Sequence, residues 1–203
     1  KGTLVAEPLE RGFGLTLGNA IRRVLLSSLQ GAAITSVKIK GVVHEFSTIP
    51  GVKEDLTDIL LNLKSIAVKV HSPGLKKMYI KATGPGEIRA GNFETDSETE
   101  IMNKDQLIMT LDANADIEIE ANIETGKGYV SAEVAEDENK VIGEIKLDAM
   151  FSPVVKASYK IENSRVGQVS DYDKLIFDVE TNGVISPDDA IALASRILQD
   201  QLQ

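Results

Sequence analysis

Apolar residues change their period along this chain, and that change limits the folds open to it. From Ala67 to about Glu162 they recur at every second position in short runs, AVKVH, KMYIKA, DIEIEANIE and KASYKIE, separated by Gly, Pro, Asn and Asp. A period of two belongs to strands with one buried face. In DIEIEANIE, Ile117, Ile119 and Ala121 fall on one face and Glu118, Glu120 and Asn122 on the other. Two acidic stretches, Glu94 to Glu100 and Glu136 to Glu138, read as solvated loops.

Outside that stretch helical spacing prevails. Thr16 to Gln30 places Leu17, Ala20, Ile21, Val24, Leu25 and Ser28 on one helical face, with Arg22, Arg23 and Leu26 opposite and Leu29 at the edge. Gly12, Gly14 and Gly18 bracket its start, Thr16 is its expected N-cap and Gly31 its expected stop. Residues 34–46 are β-branched and alternating, which predicts a strand. After a Pro50-Gly51 turn, Val52, Leu56, Ile59, Leu60 and Leu63 predict a second helix, with Glu54 and Asp55 at its N-terminus and Leu61 and Lys64 off its stripe. The C-terminal stretch reads as a strand (KLIFDVET), an Asn182-Gly183 turn and a helix from Ser186. Ser186 caps that helix, Pro187 suits its first position, Asp188 and Asp189 complement its dipole, and Ala190, Ile191, Ala194, Ile197, Leu198 and Leu202 form its stripe.

The fold class is therefore α+β in two parts. Residues 1–30 and 162–203, together with 31–66, are expected to form a discontinuous α/β domain, and residues 67–161 a β-rich insert.

Composition removes several functions. The 203 residues contain no cysteine, so disulfides, thiolate metal sites and cysteine nucleophiles are excluded. His44 and His71, the only two histidines, lack the i, i+4 companion of a helical metal site and read as structural. No apolar run approaches the roughly 18 to 20 residues a membrane-spanning helix needs, so no membrane association is expected. The net charge of −9 argues against a general nucleic-acid binder.

Two motifs invite a function. Gly12, Gly14 and Gly18 precede a helix at near-dinucleotide-binding spacing, but the residues ahead, EPLER with Pro8, do not read as the strand that motif needs, and the spacing is one residue too long. Tight helix entry and close packing are the competing reading. Arg22, Arg23 and Leu26 have the composition of a protein–protein contact, set against two solvated arginines. The aliphatic C-terminal helix suits either core or helix-on-helix dimer packing.

Residues Glu7 to Lys64, including GFGLTLGNAIRRVLLSSLQG and DLTDILLNLK, resemble the N-terminal domain of the bacterial RNA polymerase alpha subunit. GKGYVSA (126–132), SPV (152–154), SRVGQ (164–168), DYDKL (171–175) and ETNGVISPDDAI (180–191) match in family order. The resemblance implies a cytoplasmic homodimer that scaffolds the beta and beta-prime subunits for DNA-templated transcription, with no cofactor, metal or catalytic site of its own. Carried over by position, Arg23 with Arg22 and Leu26 would contact beta, and Lys64 would contact beta-prime. Val169 stands where some members carry a further beta-prime-contacting arginine, so that contact is not assigned. Phe13, Leu17, Ile21, Ile191, Ile197 and Leu198 are the expected dimer seam. A strand ahead of Lys1 and a DNA-contacting domain past Gln203 are usual in the family, so this chain reads as a truncated subunit with no sequence-specific DNA contact. The alternatives are a nucleotide-binding protein or enzyme using the Gly12–Gly18 loop, and a generic acidic dimerisation module.

Overall fold

The computed structural model describes residues 1–42, 46–132 and 142–203, with only the backbone at Val169 and Ser170. His44, Glu45 and the stretch Glu136 to Glu138, expected to be a solvated loop, lie outside the described residues. The first elements are β1 (Gly2–Glu10), α1 (Phe13–Ser27), β2 (Gln30–Ile39), α2 (Leu56–Lys64) and β3 (Val68–Val70). Then come β4 (Lys76–Thr83), β5 (Gly86–Arg89), β6 (Glu94–Thr95), β7 (Thr99–Ile101), β8 (Leu107–Leu111) and β9 (Asp116–Lys127). The chain ends with β10 (Tyr129–Val130), β11 (Glu144–Lys146), β12 (Ala149–Met150), β13 (Val154–Val166), β14 (Val169–Thr181) and α3 (Pro187–Gln201). With 22% helix and 47% strand in several sheets, the fold is α+β.

The chain divides into two compact units, residues 1–30 with 152–203, and residues 31–151. In the first, β1, β14 and β13 form an antiparallel sheet in that order. Leu175, Phe177 and Val179 of β14 point to one face, where they meet Leu25 and Leu29 and the Ala190, Ile191 and Ala194 stripe of α3. The Tyr159 ring lies 5.6 Å from that of Phe177, tilted by 47°. Two fully buried alanines on α3 let the helix backbone come close to its neighbours. Its start follows the sequence signals: Ser186 Oγ accepts the Asp189 N–H at 3.1 Å, with Pro187 in the first turn.

The second unit holds a seven-stranded sheet, β6-β4-β9-β2-β3-β7 with β11 added on β2, and two short ribbons, β5-β8 and β10-β12. Ile117, Ile119, Ala121 and Ile123 of β9 are buried, and α2 contributes Leu56, Ile59 and Leu63 to the same core. On the opposite face of β9, Glu118 and Glu120 pair with Lys40 and Lys77.

Several sequence-based expectations are corrected. Residues 31–66 belong to the second unit, because β2 is hydrogen-bonded into its sheet and α2 into its core. Residues 152–161 belong to the first, because β13 pairs with β14. The acidic run from Glu94 to Glu100 is a turn only at residues 96–98: on either side β6 pairs with β4 and β7 with β3, and Asp96 and Glu98 hold the Lys76 ammonium. Helix α2 begins at Leu56, and Glu54 reaches sideways instead, accepting the Thr110 N–H and hydroxyl at 2.7 and 2.9 Å.

Candidate subunit-contact surfaces

Helix α1 starts earlier than its sequence predicts. Gly12, at φ 88°, is its N-cap, so Thr16 lies inside the helix and donates its N–H to Gly12 O. That left-handed turn favours glycine. The helix ends at Ser27, and Gly31 lies in β2. A strand does run ahead of the loop: β1 spans Pro8, whose missing N–H is accommodated at an irregularity in pairing between Ala6 and Leu9. The expectation that EPLER does not read as strand is thus overturned, since β1 continues to Glu10.

The loop is nevertheless unsuited to a phosphate. Asp173 Oδ2, from β14, accepts the N–H groups of Gly12 and Gly14 at 2.9 and 3.0 Å. The amides that would cradle an anion already hold an internal carboxylate, placed at the positive end of the helix. Gly14 and Gly18 face the sheet without room for a side chain: a Cβ on Gly14 would meet Asp173 at 2.9 Å, and one on Gly18 the Tyr159 ring at 2.7 Å. Close packing accounts for both glycines.

This anchoring fixes which faces of α1 remain outside. At about 100° per residue, Gly14, Gly18 and Leu25 share the buried face. One exposed flank carries Phe13 and Leu17, 51% and 37% exposed, with half-buried Val24 between them in angle and half-buried Ala20 just beyond Phe13. The other carries Leu15 and Leu26, 60% and 38% exposed, on the same line as Arg22. Arg22 is half-buried, with Nη2 3.3 Å from Asn19 Oδ1 and Nε buried without a hydrogen-bond partner. Arg23 is exposed beside this second flank.

The predicted seam residues separate. Phe13 and Leu17 are exposed, while Ile21 and Ile197 are half-buried against the unit's own core. Leu198, also half-buried, lines an open groove with Leu15, Ala20 and Val24. Ile191, 6% exposed, is a core residue, so its side chain is not available to a second copy. The period that put it on the α3 stripe was right; the first part of that stripe, Ala190, Ile191 and Ala194, faces inward. Leu193 is the α3 residue missed by that stripe, and it is 48% exposed.

Lys64 closes α2 in the second unit. Its Nζ lies 3.3 Å from Asp148 Oδ2, and Asp148 Oδ1 accepts the Ala132 N–H at 2.9 Å. The Ala132 N–H and then the lysine hold the Asp148 carboxyl below its ordinary range. Asp148 was not foreseen; only the neighbouring GKGYVSA match marked this region. Val169 lies in β14.

Among the described residues, no group of three or more His, Asp or Glu is placed to hold a metal ion, and no helix is long and apolar enough to cross a membrane. Residues 37–152, more than half of the chain, match the family described as the RNA polymerase Rpb3/RpoA insert domain, and the chain belongs to that family. This supports the resemblance read from motifs on both sides of the match, to the N-terminal domain of an RNA polymerase alpha subunit, and ties the chain to polymerase assembly and transcription. The nucleotide-binding alternative is not favoured.

Proposed function

We propose that this chain is a non-catalytic assembly scaffold: it homodimerises through the Phe13–Leu17 flank of α1 and the adjoining part of α3, and offers its remaining surfaces to the beta and beta-prime subunits. The observation that carries the reading is the two-flanked helix α1. It is fixed to the sheet by Asp173 and two bare glycines, yet leaves Phe13, Leu15, Leu17 and Leu26 in solvent. Large apolar side chains grouped on one anchored element mark an interaction surface. Two flanks allow two occupants. Phe13 and Leu17, with Leu193 in place of Ile191 and with Ile21, Ile197 and Leu198 at the margin, suit a second copy packing helix on helix. Arg22, Arg23 and Leu26 suit beta, and the Lys64 region suits beta-prime. Because a two-fold dimer shows each patch twice, two different partners must use the two copies differently.

Leu17→Glu places a charge in the proposed seam. Light scattering after size exclusion is expected to give a dimer for the wild type and a monomer for the variant, with circular dichroism unchanged. A monomeric wild type, or a dimeric variant, contradicts the seam.

A further inference from the structure

Lys64 does not meet solvent as an isolated cation. Besides Lys64, the Asp148 carboxylate accepts the Ala132 N–H and a hydrogen bond from Tyr129. The ion pair is half-exposed, with side chains at 30% and 38%. Among the described residues, the ribbon that holds Tyr129 and helix α2 carry exposed apolar side chains. Tyr129 and Met150 are direct cross-strand partners on the β10-β12 ribbon and are 59% and 61% exposed. Leu61, one turn before Lys64 on α2, is 56% exposed. The ribbon is firmly set: Phe151 N–H donates to Gly128 O at 2.8 Å, and the Phe151 ring covers Gly126, where a Cβ would stand 2.7 Å from it.

We infer that Lys64 acts by neutralising Asp148, and that this surface docks an apolar segment of the large subunit rather than an acidic one. The inference rests on the scaffold reading above for the identity of the partner. An incoming carboxylate would compete for an ammonium already paired and would approach Asp148, a like charge. An apolar segment covers Tyr129 and Met150 and finds beneath it a pair with no net charge. Remove the lysine alone, and the same segment must cover an unpaired carboxylate, which is the costly arrangement; remove both charges, and that penalty disappears. Lys64 is on this view a positioning residue, effective only through Asp148.

The test titrates isolated beta-prime onto the wild-type chain already bound to beta, and repeats it with Lys64→Ala, Asp148→Asn and the double variant. Lys64→Ala is expected to lower affinity by about 10-fold to 100-fold. The double variant is expected to return to within about threefold of wild type, a non-additivity that only coupled residues show. A double variant as weak as Lys64→Ala would set the ammonium against the partner and overturn the inference. Should the double variant fail to fold, exposed Met150 supplies a second arm: Met150→Leu is expected to keep binding and Met150→Glu to abolish it, and equal affinities for the two would overturn apolar docking. A wild-type chain that binds neither large subunit defeats the scaffold reading, and the inference with it; wild-type binding without rescue defeats the inference alone.

Discussion

At Gly18 a methyl group would press on the Tyr159 ring at 2.7 Å and on Leu175 at 3.1 Å, and Tyr159 is itself seated on Phe177. Gly18→Ala is therefore expected to destabilise the first unit by about 1 to 3 kcal/mol, read from urea unfolding, although alanine is the better helix former. Glu54 gives a pH-dependent counterpart in the second unit. Burial opposes its ionisation, but the Thr110 N–H and hydroxyl outweigh burial, so its pKa lies below the ordinary 4.5. A lowered folded pKa means that the stabilisation is complete above the unfolded value and is lost as pH falls through the folded one. Glu54→Gln is expected to cost about 1 to 2 kcal/mol at pH 7 and to flatten the acid limb of the stability curve below about pH 4.5. Parallel limbs for the two proteins would contradict this. Residue types and faces were legible in the sequence, as at β9, whereas Asp173 was not: 159 positions separate it from Gly14, and nothing local marks a carboxylate as the cap of a distant helix.

Among the elements, those defined by local chemistry were legible and those defined by long-range pairing were not. Helix α3 carries its own start signals, and Ser186→Ala is expected to cost about 1 kcal/mol in thermal unfolding, with Ser186→Asp close to neutral. The run of strand β1 to Glu10 was missed because Pro8 interrupts the alternation, a break absorbed by irregular pairing with β14. Strand β13 was recognised as a strand but placed with the insert. Alternation reports that one face is buried, not which sheet supplies the neighbour, and here the neighbour is β14. The same limit applies to 31–66, where the strand and helix were foreseen and their unit was not. For the candidate contact surfaces, helical period located Arg22, Arg23, Leu26 and Lys64 off the apolar stripes. It could not tell an inward stripe from a shared one, which is why Ile191 proves to be core.

At the scale of the whole molecule, a net charge of −9 and a family match over residues 37–152 belong to a component of transcription machinery that need not grip nucleic acid itself. Among the described residues, exposed apolar and cationic side chains gather on α1 and beside Lys64. A scaffold is expected to distribute its features in this way, with rigid elements beneath and contact residues above. The most direct measurement is co-elution of the chain with isolated beta subunit on size exclusion, wild type against Arg23→Ala. Loss of a desolvated interface arginine costs about 2 to 5 kcal/mol, enough to abolish co-elution at micromolar concentration. The prediction is a wild-type complex of two copies per beta and an Arg23→Ala chain that remains a dimer but elutes apart from beta. A wild type that never joins beta, or an Arg23→Ala chain that joins it undiminished, would contradict the scaffold and its assigned contact.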